Sequence, residues 1–301
     1  MLDRRHLVVA VLLAILPAGG AAAQDKLPVV ATFSILADFA RNVGGDRIEV
    51  VSLVPPDADA HVFVPSPADA KALAAAKVVL TNGLGFEGWI ERLVKASGTK
   101  APVSVATKGI KPRRMQQQGG HGHAHAAADP HAWQSVANAK IYVGNIRDAL
   151  VAADPAGKAA YEANAAAYLG KLDELDREVK DAVARIPADR RRIITSHDAF
   201  GYFQDVYRID FIAPQGVSTE AEVSARDLAR IIVQIRKQKI PAVFMENVTD
   251  PRLQKRIAEE TGAKIGGTLY SDALTDEKGP APTYIDMIRH NIRTLGAALM
   301  S

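Results

Sequence analysis

The chain has 301 residues, 48% hydrophobic and 24% charged, which supplies enough apolar material to offset chain entropy. Global disorder is excluded, and two domains or one large one are favoured over a single small core. A formal net charge of +3 spread over the chain is weak support for nucleic-acid binding, and the absence of cysteine excludes disulfides and restricts any metal site to nitrogen and oxygen donors.

In chain order, Arg4 and Arg5 precede the apolar run Leu7 to Leu16, and Ala21-Ala22-Ala23 offers a small-residue cleavage site before Gln24. Residues 1–23 therefore read as an export signal, with an apolar run too short to span a bilayer. With no cysteine to carry a lipid, the mature protein is expected to diffuse freely in the periplasm, as a monomer. Short β-branched runs then alternate with helical patterns, the signature of parallel βα units. Val29 to Phe33, Ile48 to Val54, Val78 to Thr81 and Val103 to Ala106 read as strands, with helices near 35–43, 67–76 and 87–97. Ser66 as N-cap, Pro67 at the first helical position and Asp69 three residues after the cap mark one helix start clearly.

Residues 107–130 show no periodic apolar face and read as a flexible loop, longer than ordinary connections. From Asp154-Pro155 to Pro187, apolar residues recur at steps of three or four: Tyr161, Ala165, Tyr168, Leu172, Leu175, Val179, Val183 and Ile186. That spacing predicts one long, stiff helix. Arg190-Arg191-Arg192 reads as a solvated strand entry. The second half then repeats the scheme of the first, with strands at Ile193 to Ser196, Ile209 to Ala213, Ala242 to Met245 and Lys264 to Leu269, and helices near 199–206, 224–239, 251–262 and 283–299. The expected architecture is α/β, with lobes over 24–153 and 188–301, each a mainly parallel sheet flanked by helices. One rigid helix over 154–187 joins them, and the ligand site lies in the interlobe cleft.

Of eight histidines, His61, His131 and His197 sit near strand ends, as does Asp272. Ligands of open parallel sheets bind outside the carboxyl ends of the strands, so these four residues, two from each lobe, converge on the cleft. Neutral imidazole suits zinc, and a carboxylate can complete a tetrahedral site. Asp129 and Asp198 stand beside histidines in sequence and could orient an imidazole. Asp59 competes with Asp272 for the fourth place. Glu246, at another strand end, reads as a residue lining the cleft or supporting a hinge, and stands with Asp59, Asp129 and Asp198 as a candidate to support a ligand or replace one.

Asp59-Ala60-His61-Val62-Phe63 with Pro65-Ser66-Pro67, Asp129-Pro130-His131-Ala132-Trp133, Ser196-His197-Asp198-Ala199-Phe200-Gly201-Tyr202-Phe203 and Tyr270-Ser271-Asp272 occur in this order. Together they resemble the metal receptors of bacterial ABC importers for zinc and manganese, the cluster containing the ZnuA, TroA and AztC types, over essentially the whole mature chain. The resemblance implies two lobes joined by a rigid helix, with metal held between them and delivered to a membrane permease. It further implies zinc, because manganese receptors usually carry glutamate where His197 stands. Asp272 as fourth ligand is similar to the AztC type, which also implies a periplasmic zinc metallochaperone as a donor.

His121, His123 and His125 admit two readings: an accessory zinc site, or a solvated loop that binds metal only at high concentration. Among other function classes, a zinc hydrolase needs an open coordination position and a general base. Four protein ligands would close the site, and no His-Glu-x-x-His helix is present. Manganese or another divalent metal remains an alternative cargo, and an adhesin is disfavoured by the missing lipid-anchoring cysteine.

Overall fold

The computed structural model describes residues 25–114, 128–220 and 223–300; the export signal and His121, His123 and His125 lie outside them. In the first lobe, strands β1 (Leu27–Ala31), β2 (Ile48–Ser52), β3 (Val78–Thr81) and β4 (Val103–Val105) form one parallel sheet in the order β2-β1-β3-β4. Parallel neighbours require crossovers, supplied here by α1 (Ser34–Gly44), α2 (Pro67–Ala75) and α3 (Ile90–Ser97). β3 is buried along its whole length, whereas β2 at the sheet edge alternates between inward and outward residues. The box at the start of α2 forms as its sequence predicts: the backbone N–H and hydroxyl of Ser66 both donate to Asp69 Oδ2, at 2.6 and 2.8 Å.

The second lobe repeats this order with every strand advanced by four: β5 (Arg192–Ile194), β6 (Asp210–Ile212), β7 (Ala242–Glu246) and β8 (Lys264–Leu269) run β6-β5-β7-β8, again all parallel. Its helices are α6 (Gly201–Tyr207), α7 (Ala225–Gln238), α8 (Arg252–Thr261) and α9 (Tyr284–Met300). The two halves thus share one topology without an evident sequence repeat.

Between them lie two helices, one of which the sequence pattern does not single out. α4 (Val136–Ala153) starts at Ser135, whose hydroxyl accepts the backbone N–H of Asn138, and it buries Val136, Ala139, Tyr142, Val143, Ile146 and Leu150. Those positions are spaced as an amphipathic helix requires, but Ile141 and Val151 blur the outer face. The long helix, α5 (Lys158–Ala184), has 27 residues, giving a rod of ~40 Å. It is shorter than its apolar pattern suggests because Pro155–Gly157 form a 3-10 turn and the helix closes at Ala184. Its apolar stripe packs on α1 and α4 of the first lobe and on α9 and α6 of the second. One apolar core therefore runs from the first sheet, past α5, to the inner face of the second. A separate core, built around Val243, Leu228, Ile232 and Ile257, covers the second sheet's outer face. Ile193 and Ile194 point to the two different cores, as strand alternation demands.

Candidate metal centre

His61 follows β2 through a loop that Trp89 holds by donating its indole N–H to the Ala60 carbonyl at 2.9 Å. His131 follows Pro130, whose carbonyl accepts the Asn82 amide at 2.9 Å. His197 leaves the end of β5. Asp272 follows β8, where Asn291 of α9 brackets Tyr270 with two backbone hydrogen bonds of 2.8 Å. The first lobe reaches across to this last turn. Trp133 and Gln134 both donate to the carbonyl of Ser271, at 2.9 and 2.8 Å.

These four side chains, all buried, meet with one donor atom from each within 4.8 Å of the others. His61 Nε2 lies 3.3 Å from His131 Nε2 and 3.3 Å from Asp272 Oδ2. His197 Nε2 is 3.2 Å from Asp272 Oδ2, and His131 Nε2 is 3.6 Å from Asp272 Oδ1. Four donors around a tetrahedral ion with bonds of ~2.0–2.1 Å stand about 3.3–3.4 Å apart; the 3.2 and 3.3 Å separations lie close to this, and the His131–Asp272 separation is wider. Asp272 Oδ1 is buried with no hydrogen-bond partner among the described residues, a costly state for a carboxylate oxygen unless a cation faces it. The arrangement can hold one divalent ion through three nitrogens and a carboxylate.

Carboxylates behind the rings set their orientation. Asp129 Oδ1 accepts both the backbone N–H of His131 at 3.0 Å and its ring Nδ1–H at 2.9 Å. Glu246 Oε1 accepts the backbone N–H groups of Ser196 and His197, at 2.6 and 3.0 Å, and its Oε2 lies 2.6 Å from His197 Nδ1. A proton held on Nδ1 leaves the Nε2 lone pair free for a metal. Sequence adjacency suggests Asp198 for this role at His197. The structure gives it to Glu246, far along the chain and unrecognisable by spacing. Asp198 instead lines a cavity with Arg113, Gln215 and Arg230, and burial pushes its carboxyl pKa up. Asp59 stays outside the cluster: its Oδ1 accepts the His61 backbone N–H at 2.9 Å and its Oδ2 the Thr219 hydroxyl at 2.5 Å.

Gly201, at the start of α6, is required by this support. A Cβ there would overlap the Arg113 guanidinium and lie 2.6 Å from Asp129 Oδ2, so any side chain would displace the carboxylate that orients His131. Arg113 also marks the base of the segment read as a loop. Its carbonyl accepts the Asp129 N–H at 2.9 Å, and Arg114 bridges to Ala128.

The charges reinforce one another. Burial alone would make His131 harder to protonate, but Asp272 and Asp129 outweigh it and raise its pKa to about 9. His197 is likewise raised well above the usual imidazole value, against its burial, by Glu246 and Asp272. Burial would raise the Asp272 pKa, yet His197 and His131 pull it well below the carboxylate range. The site thus prefers positive charge beside Asp272, and an incoming dication competes with protons for the same nitrogens.

Comparison with known proteins agrees with this geometry. Residues 29–298 match the family described as zinc-uptake complex component A, periplasmic (ZnuA). The iron-binding protein YfeA of Yersinia pestis is 38% identical over 270 residues, covering 90% of this chain and 85% of the relative. The manganese-binding lipoprotein MntA of Halalkalibacterium halodurans is 35% identical, covering 91% and 89%. The periplasmic zinc-binding protein TroA of Treponema pallidum superposes with a TM-score of 0.85 at 30% identity, covering 91% of this chain and 99% of TroA. No helix among the described residues is long and apolar enough to cross a membrane. The chain belongs to the ZnuA family of periplasmic metal-binding receptors of ABC transporters, a family of solute-binding proteins and not of enzymes.

Proposed function

We propose that the protein captures zinc in the periplasm with His61, His131, His197 and Asp272 and delivers it to the permease of an ABC importer. The observation that carries this reading is the convergence of three imidazole Nε2 atoms on one carboxylate at 3.2–3.6 Å. Nitrogen-rich coordination favours zinc over the harder manganese ion. Capture involves no bond chemistry: the ion displaces protons from the imidazoles and joins ligands of both lobes, so the loaded, closed form is what a permease distinguishes.

The relatives MntA and YfeA are named for manganese and iron, and they favour a second reading in which the same four residues take one of those ions. Competitive titration of the apo protein with zinc, manganese and ferrous iron separates the two. The zinc reading expects one zinc per chain that manganese cannot displace; preferential retention of manganese or iron overturns it. Repeating the titration on a variant lacking residues 119–126 tests the histidine segment: retention of the tight ion assigns it an accessory role. The lipoprotein relatives carry an anchor in their names, whereas this sequence contains no cysteine. We read the protein as unanchored, which cell fractionation checks.

A further inference from the structure

Each of the three imidazoles has its backbone N–H held by a carboxylate: His61 by Asp59, His131 by Asp129, His197 by Glu246. Asp129 and Glu246 each also contact Nδ1 of the same histidine. Asp59 does not. Its second oxygen crosses the cleft and accepts the Thr219 hydroxyl at 2.5 Å. Thr219 lies between β6 and α7 of the second lobe, and its carbonyl accepts the Gln215 side-chain amide at 2.8 Å. Gln215 pairs in turn with His197 in a parallel bridge. A ring of contacts therefore runs from His61 through Asp59, Thr219 and Gln215 to His197, and the two histidines face each other with ring centroids 5.9 Å apart. Two residues earlier, Asp57 accepts the Asn247 amide of the second lobe at 3.0 Å, so the segment 57–61 forms the first lobe's side of the seam. His61 is also the most accessible of the four clustered residues, at 8% exposure against none for the others.

We infer that Asp59 is a positioning residue that governs how fast the metal leaves: one oxygen fixes the His61 backbone, and the other latches that segment to Thr219. Separation of the lobes must break the Thr219 hydrogen bond before His61 can withdraw from the ion. The latch rests on the metal-binding reading above but adds no ligand to it. A charge-assisted hydrogen bond present only in the closed form slows opening by about tenfold.

The test is stopped-flow release of zinc to an excess of chromogenic chelator, for wild type, Asp59→Ala, Thr219→Val and the double variant. The d–d spectrum of the cobalt-loaded forms is recorded alongside. Expected are one ion per chain throughout, a cobalt spectrum unchanged in Thr219→Val, about tenfold faster release in Thr219→Val, release at least as fast in Asp59→Ala, and no further gain in the double over Asp59→Ala. Asp59→Asn, which keeps one acceptor oxygen, should fall between wild type and Asp59→Ala. Thr219→Val retains the shape of a partly buried side chain and keeps the test decisive if Asp59→Ala folds poorly. An altered cobalt spectrum in Thr219→Val would overturn the latch, as would unchanged release in Thr219→Val or a double variant faster than Asp59→Ala. A wild-type chain that takes up no ion sinks the metal reading itself.

Discussion

Around His131, the Asn82 amide donates to the carbonyls of Pro130 and Gly83 while its oxygen accepts the Tyr142 hydroxyl. Glu87 accepts from Thr32 and from two backbone N–H groups. The interior of the second lobe is less complete. Asp272 Oδ1, Ser196 Oγ, Ser271 Oγ, Asn247 Oδ1, Thr249 Oγ1 and both polar atoms of Gln254 are buried without a hydrogen-bond partner among the described residues; the first lobe has a comparable atom only at Gln134 Oε1. An unpaired buried polar atom costs on the order of 1–3 kcal/mol. Most of the unpaired buried polar atoms among the described residues thus belong to the second lobe, and one of them, Asp272 Oδ1, faces the imidazole of His131 at 3.6 Å.

The largest expected effect comes from the ligands themselves. His131→Ala or Asp272→Ala should weaken metal binding well beyond the ~10–100-fold cost of losing an orienting carboxylate, whereas Asp129→Asn and Glu246→Gln should fall within that range. Calorimetric titration orders all four. Equal losses in every variant would erase the distinction between ligand and support.

Next in size is pH. Because the His131 pKa is raised to about 9, the apo site carries a proton that metal must expel at neutral pH. Affinity should fall about tenfold per pH unit for each proton displaced as the medium acidifies. The apo protein follows the opposite sign for the same group. The stabilisation from the raised His131 is full below its unfolded value and is lost as pH rises through about 9, while that of Asp272, whose pKa is depressed, is lost only in strong acid. Metal should therefore raise the melting temperature most above about pH 8, and affinity that stays flat from about pH 8 to 5 would contradict the three-imidazole site.

The smallest effect addresses the comparison directly. Asn82→Leu removes three satisfied hydrogen bonds and should cost about 1–3 kcal/mol, whereas Gln254→Met replaces an unpartnered amide by an apolar chain and should be neutral or stabilising. Equal destabilisation of the two in chemical denaturation would show the lobes to be equally well bonded.

Much of the fold is legible in the sequence. The strand expectations fall within about two residues of the observed ends, because parallel central strands are continuous apolar runs between turn residues. His61, His131 and His197 are recognisable from their positions after strands. Asp272 also follows a strand, β8, but its choice over Asp59 leans more on resemblance. The role of Glu246 carries no local signal, because its partner His197 comes close only when β5 and β7 pair, a contact no short pattern records. Asp198 stands out in its place because neighbours in sequence are visible and neighbours in space are not. α4 is hard to see although Ser135 and its buried positions signal it, since Ile141 and Val151 obscure its polar face.

The most direct test of the account is X-ray absorption at the zinc edge of the loaded protein. The account predicts a four-coordinate shell of three nitrogen donors and one oxygen at about 2.0–2.2 Å, with one nitrogen lost in His61→Ala. A six-coordinate, oxygen-rich shell, or a spectrum unchanged in His61→Ala, would contradict it.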